Sequence, residues 1–272
     1  MTDASGIDWE DAFANAAYIP DGMSYLEKWR SAAAAFRQTA MGELDIPYGT
    51  HPREVFDLFT PDTTPKGLAV FVHGGYWLDF DKSSWSHLAQ GALAHGWAVA
   101  LPSYVLAPEA TLPDITRQVA QAISRAAQRV AGPIHLAGHS AGGHLVTRMA
   151  CQNAPLPPEI AARISRVVSI SGLHDLRPLM LHSMNTNLQL SEESAAVEST
   201  ALQPPRAGIE TIAWVGAAER PEFLRQSSLL VENWGRQGAD TRLVADPQRH
   251  HFDVVDGLTA ADHPLCQAFV GE

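Results

Sequence analysis

Ile134-His135-Leu136-Ala137-Gly138-His139-Ser140-Ala141-Gly142-Gly143-His144-Leu145 is the stretch on which the reading of this chain turns. Ile134–Ala137 is a short apolar run suited to a strand, and His144, Leu145 and Met149 open a helical pattern. Between them lies a G-x-S-x-G pentapeptide, Gly138 to Gly142. A serine on so tight a strand-to-helix turn needs glycine neighbours, because any Cβ there meets backbone. Its Oγ then projects over the sheet edge, and the first N–H groups of the helix face a developing oxyanion. Ser140 is the candidate nucleophile.

Upstream, Gly67–Val72 is a continuous apolar run, suited to a strand covered on both faces. His73-Gly74-Gly75-Tyr76-Trp77 follows it. Consecutive glycines let a loop turn its N–H groups toward a substrate carbonyl, which makes Gly74 and Gly75 candidate oxyanion donors beside the Ala141 N–H. The plain alternative is a Gly-Gly turn. His73 reads as a loop-stabilising hydrogen-bonder. Tyr76 and Trp77 are either pocket walls or packing aromatics, and with His139 they are the candidate substrate-pocket residues.

Downstream, the order Ser…Asp/Glu…His sets where the acid and base should fall. The chain has 12 histidines, so position must decide. The last strand candidate, Thr241–Val244, runs into Arg249-His250-His251-Phe252-Asp253. His251 is favoured over His250, because the apolar segment after it can anchor it. Glu219, just after the strand candidate Thr211–Val215, is the favoured acid, with Asp175 after Val167–Ile170 as its rival. The bland role for Asp175 is to cap a helix beginning at Leu176.

Further outward, Glu54–Phe59 alternates as a half-buried strand, and Trp97–Leu101 is another apolar run. An amphipathic stretch covers about 85–94. From about Pro113, Ile115, Val119, Ile123, Ala126 and Val130 form one stripe at helical period, and Gly132-Pro133 is expected to end that helix. Strands alternating with helices imply an α/β fold with a mostly parallel central sheet and helices on both faces. One domain, 1–272, is expected. Residues 1–45 look like an N-terminal helical extension packed on the body, and 176–203 like a cap or a mobile loop.

The composition fits that outline. Hydrophobic residues make up 46% and charged residues only 18%, which excludes general disorder. A net charge of −11 argues against nucleic acid and anionic membrane as partners. A small-molecule substrate is the expected partner, and a homodimer stays open. Cys151 and Cys266 are too few for a disulfide framework. Met1-Thr2-Asp3-Ala4-Ser5 has neither a basic nor an apolar targeting region, so a cytoplasmic setting is expected. No spaced His/Cys cluster suggests a metal, and the chemistry requires no cofactor.

Taken together, these residues resemble the α/β-hydrolase superfamily. Within it the chain is most similar to the kynurenine formamidase (arylformamidase) branch of the hormone-sensitive-lipase-like esterases. Beyond the serine and Gly-Gly motifs, the resemblance takes in Asp45-Ile46-Pro47-Tyr48-Gly49, Ser171-Gly172…Asp175-Leu176, Pro221-Glu222-Phe223…Arg225-Gln226-Ser227 and His251-Phe252-Asp253-Val254-Val255. It implies a triad of Ser140, Glu219 and His251, with Gly74, Gly75 and Ala141 as oxyanion donors. Two positions depart from the branch's pattern: Glu219 stands where Asp is usual, and Gly143 where alanine is common.

The resemblance implies removal of a formyl group from an aryl amine, N-formyl-L-kynurenine giving kynurenine and formate. A short-chain carboxylesterase shares every residue named here. So does a transacylase. An idle hydrolase fold that only binds a ligand is the reading from a different class.

Overall fold

The computed structural model describes residues 6–272, so the targeting reading at residues 1–5 lies outside the described residues. Eight strands form one sheet: β1 Gly42–Pro47, β2 Val55–Phe59, β3 Leu68–Val72, β4 Ala98–Pro102, β5 Ile134–His139, β6 Ile164–Ile170, β7 Glu210–Gly216 and β8 Thr241–Asp246. Their order is β1-β2-β4-β3-β5-β6-β7-β8. From β4 to β8 every pairing is parallel, and β2 is antiparallel to both its neighbours.

The apolar runs build two cores. Along β3, Leu68, Val70 and Val72 face one core with Ile115, Val119 and Ile123. Ala69 and Phe71 face the other, with Trp85, Leu88 and Phe269. Period-two alternation across a strand buried on both sides produces this division.

The helix Leu112–Ala127 starts where Thr111 and Asp114 form a capping box, and it buries the expected stripe. It stops at Ala127, short of Gly132-Pro133. The Arg163 guanidinium takes the carbonyls of Ala127, Val130 and Gly132, which gives the helix end partners other than a further turn. Val130, beyond the helix, is still buried in the first core. The amphipathic stretch at 85–94 is a 3-10 turn, Ser86–Ala89, running into a short helix, Gln90–Ala94.

Two readings of the chain's outer parts are corrected. The N-terminal extension is helical at Trp9–Ala12 and Ser24–Arg37, but it runs into β1 from Gly42. β1 escapes pattern reading because it is an edge strand with only Ile46 buried and an irregular register between Glu43 and Ile46. Residues 176–203 are neither a cap on the cavity described below nor an unstructured loop. They form short helical turns, Arg177–Leu181, Asn185–Leu188, Glu192–Glu198 and Thr200–Leu202, too brief to show periodicity. Glu198 pins them behind the helix Ala141–Arg148: its buried carboxylate accepts from Thr116 Oγ1 at 2.7 Å and Arg148 Nε at 3.1 Å.

Candidate active site

The site is built on the C-terminal ends of β5, β7 and β8. Ser140 joins β5 to the helix Ala141–Arg148 with φ 56° and ψ −118°. A non-glycine residue with positive φ is strained and persists only where its surroundings fix it. Here its N–H donates to Ile170 O at 2.8 Å and its carbonyl accepts from His144 N at 3.1 Å. The flanking glycines are steric requirements: a Cβ on Gly138 would lie 2.2 Å from Gly142 O, and one on Gly142 1.9 Å from Val72 O. Gly143 is equally constrained, since a Cβ there would meet Gly172 Cα and Ser169 Oγ at 2.8 Å. An alanine at 143 would need this backbone to shift.

His251 follows β8 and is buried. Its Nδ1 donates to Glu219 Oε2 at 2.7 Å, which leaves Nε2 free to handle a proton. Glu219 follows β7, and its side chain is sealed from solvent. Its other oxygen, Oε1, accepts from Gly216 N at 2.8 Å and from Ser171 Oγ. His139 lies alongside, its Nε2–H donating to the His251 carbonyl at 2.8 Å. Burial, then the neighbouring His251, holds the His139 imidazole well below its ordinary pKa, so it stays neutral.

The rivals have other partners. Asp175 binds the Arg177 guanidinium with both oxygens, at 2.8 and 3.0 Å, and accepts the Arg177 N–H. His250 accepts backbone N–H groups at Nδ1 and meets Tyr25 Oη at 3.2 Å through Nε2.

The Gly-Gly loop lies against Ser140, with Gly74 so close that a Cβ would sit 3.0 Å from Ser140 Cβ. Its carbonyls are held on one side. Tyr104 Oη donates to His73 O at 3.1 Å, and His73 Nδ1 donates to Gly74 O at 2.8 Å. Because C=O and N–H of a trans peptide point oppositely, the Gly74 N–H faces away from Tyr104 Oη and the Gly75 N–H away from the His73 ring. Burial pushes the His73 imidazole down to about 4, consistent with a neutral, loop-holding group. The Ala141 N–H begins a helix and has no intrahelical acceptor.

Ser140, His139, His251, Gly75 and Tyr76 line one cavity of about 330 Å³. Its remaining walls are Phe13–Ala17, Leu26, Trp29, Asp79, Phe80, Trp85 and Phe252. Trp77 is not among them. It is fully buried, packing edge-on to His144 with ring centres 5.2 Å apart, so the pocket reading of Trp77 is corrected to a core role. None of the lining residues comes from 176–203.

A segment of the extension closes the cavity instead. Tyr76 Oη donates to Phe13 O and accepts from Asn15 Nδ2, at 2.6 and 3.2 Å. Arg220 binds Asp11 and lies 3.7 Å over the Tyr18 ring. Sequence patterning marks Trp29 only as a packing aromatic and gives no sign that residues 13–17 reach Ser140.

Among the described residues, no group of three or more His, Cys, Asp or Glu is placed to hold a metal. Among the same residues, no helix is long and apolar enough to cross a membrane. Cys151 and Cys266 are free and buried.

Comparison with known proteins agrees with this architecture. The chain is 25% identical to a kynurenine formamidase of Salmo salar over 269 residues, 95% of this chain and 90% of that one. A kynurenine formamidase of Danio rerio is also 25% identical, with 89% and 85% of the two chains covered. A solved structure from Silicibacter sp. TM1040, described there as a candidate thioesterase, is 47% identical with a TM-score of 0.92, covering 97% of this chain and 99% of its own. The model of the alpha/beta hydrolase family matches residues 69–271, and the chain belongs to that family.

Proposed function

We propose that this protein is a serine hydrolase that removes a small acyl or formyl group from an aryl amide or ester through a covalent acyl-enzyme. The observation that carries the reading is one cavity shared by Ser140 and His251, with the second nitrogen of His251 bound to Glu219. His251 Nε2 takes the Ser140 proton as Oγ attacks the carbonyl carbon. Gly74, Gly75 and Ala141 N–H groups stabilise the oxyanion, and Glu219 stabilises the imidazolium. Collapse of the intermediate breaks the bond to the leaving amine or alcohol, which receives the proton from His251. Water deprotonated by the same histidine then releases the acid and restores Ser140.

An aryl group suits a cavity walled by Phe13, Trp29, Tyr76, Phe80, Trp85 and Phe252. The relatives named kynurenine formamidase make N-formyl-L-kynurenine the first substrate to assay. A second reading, an esterase acting on short acyl esters or thioesters, is favoured by the 47% identical relative described as a candidate thioesterase. Two free, buried thiols and no disulfide between them suit the cytoplasmic setting expected from the sequence.

Hydrolysis of N-formyl-L-kynurenine and of a short-chain p-nitrophenyl ester, measured on one preparation, separates these readings. Turnover of both is expected, and Ser140→Ala should abolish both. Ester turnover without formamide turnover removes the formamidase reading. Activity that survives Ser140→Ala removes the serine mechanism.

A further inference from the structure

We infer that His139 is a positioning residue for the proposed acyl transfer, its Nε2–H fixing the backbone of His251 so that the base stays aligned with Ser140. The inference rests on the serine-hydrolase reading above and concerns how that site is held, whatever acyl group it takes. His139 is covalently next to the nucleophile and is buried. Its Nε2 lies 2.8 Å from the carbonyl oxygen of His251, 112 residues further along the chain. A carbonyl only accepts, so Nε2 carries the proton and Nδ1 is bare.

That bare Nδ1 is buried and has no hydrogen-bond partner among the described residues. It packs against the Gly-Gly loop, where a Cβ on Gly74 would sit 3.4 Å from it. Both nitrogens are therefore turned into the protein. Although the residue lines the cavity, it offers a substrate ring carbon rather than a hydrogen-bonding atom. One ring thus touches the oxyanion loop and the base while sharing its backbone with the nucleophile.

The base needs such a hold. Glu219 fixes His251 at a single atom, Nδ1, about which the imidazole can still pivot. The rings of His139 and Phe223, with centres 4.7 and 4.4 Å from that of His251, limit the pivot. The bond to the His251 carbonyl fixes the backbone from which the side chain extends. Misplacing a reacting group by about 1 Å can cost about 10²-fold in rate. A neutral His139 also sets no charge beside the imidazolium that forms during proton transfer.

Two substitutions separate the tether from the ring. His139→Phe keeps a ring and removes the donor, whereas His139→Gln places an amide N–H where Nε2 stood and removes the ring. On p-nitrophenyl acetate, His139→Phe is expected to lower kcat at least about tenfold with KM within about threefold. His139→Gln is expected to stay within about threefold of the parent in both. Phosphonylation of Ser140 by a fluorophosphonate needs the serine and its base but no aryl recognition, and its rate should follow the same order. Thermal melts check each variant, and His139→Leu replaces His139→Phe should the latter not fold.

A folded variant without the donor that keeps the parental kcat overturns the inference. So does a His139→Gln as slow as His139→Phe, and so does an effect confined to KM, which would make His139 a wall of the cavity. A parent protein that the fluorophosphonate does not label at Ser140 removes the serine mechanism itself, and the role of His139 goes with it.

Discussion

Ser171 Oγ donates to Glu219 Oε1, the carboxylate oxygen turned away from His251. Ser171 is fully buried at the end of β6 with φ 52°, so a group on β7 is oriented from the neighbouring strand. Removing one donor from a buried carboxylate costs roughly 1–3 kcal/mol. Ser171→Ala should therefore lower kcat by about tenfold with KM little changed, because the loss falls on the imidazolium-bearing transition state. An unchanged kcat would mean that the Gly216 N–H alone holds the acid in place.

Glu219 and Asp175 can be separated by isosteric substitution. Glu219→Gln keeps the shape but supplies an amide where an anion faces His251 Nδ1, which should cut kcat by about 10³–10⁴. Asp175→Asn loses its ion pair with Arg177, half-exposed on the Arg177 side, and should stay within about threefold of the parent. Steady-state kinetics on one ester reads both variants, and the reverse ranking would transfer the acid's role to β6.

Much of this molecule was legible because the relevant signals are local. The runs that became β2 to β7 are apolar over several residues, and their burial on one or both faces is what makes such runs visible. Gly138, Ser140 and Gly142 are equally legible, since the tight turn dictates its residue types through contacts as short as 1.9 Å. What stayed hidden depends on contacts across the sequence. β1 pairs on one edge only, and Glu198 reaches Thr116 across 82 residues. The closing of the cavity by residues 13–17 rests on Tyr76, 63 residues from Phe13, a contact that no periodicity encodes.

Buried histidines should weaken the fold as pH falls. Burial holds His73 and His144 down to about 4 and His174 down to about 3. The unfolded chain takes up these protons near pH 6.5, before the folded state does. Stability is thus complete above about pH 6.5 and falls with pH toward 4. By pH 5 each such histidine should cost about 2 kcal/mol. Thermal melts at pH 7.5, 6 and 5 should show Tm dropping faster between 6 and 5 than between 7.5 and 6. A flat Tm down to pH 5 would contradict the neutral, buried state of these side chains.

The hydroxyl of Tyr76 ties the segment that closes the cavity to the loop beside Ser140. It donates to Phe13 O and accepts from Asn15, while its ring lines the cavity. Tyr76→Phe keeps the ring but leaves a backbone carbonyl and a buried amide without that partner, at about 1–3 kcal/mol. The segment is still held by Arg220 to Asp11 and by Trp9 in the core, so local opening is expected rather than loss of the fold. Opening removes Phe13 and Ala14–Ala17 from the cavity wall proposed to hold the substrate, in ground and transition state alike. KM should rise by about tenfold with kcat within about threefold, and amide exchange at residues 13–17 should quicken. If exchange quickens and KM does not move, substrate binds without this wall, and aryl recognition rests on Trp29, Phe80 and Trp85 alone.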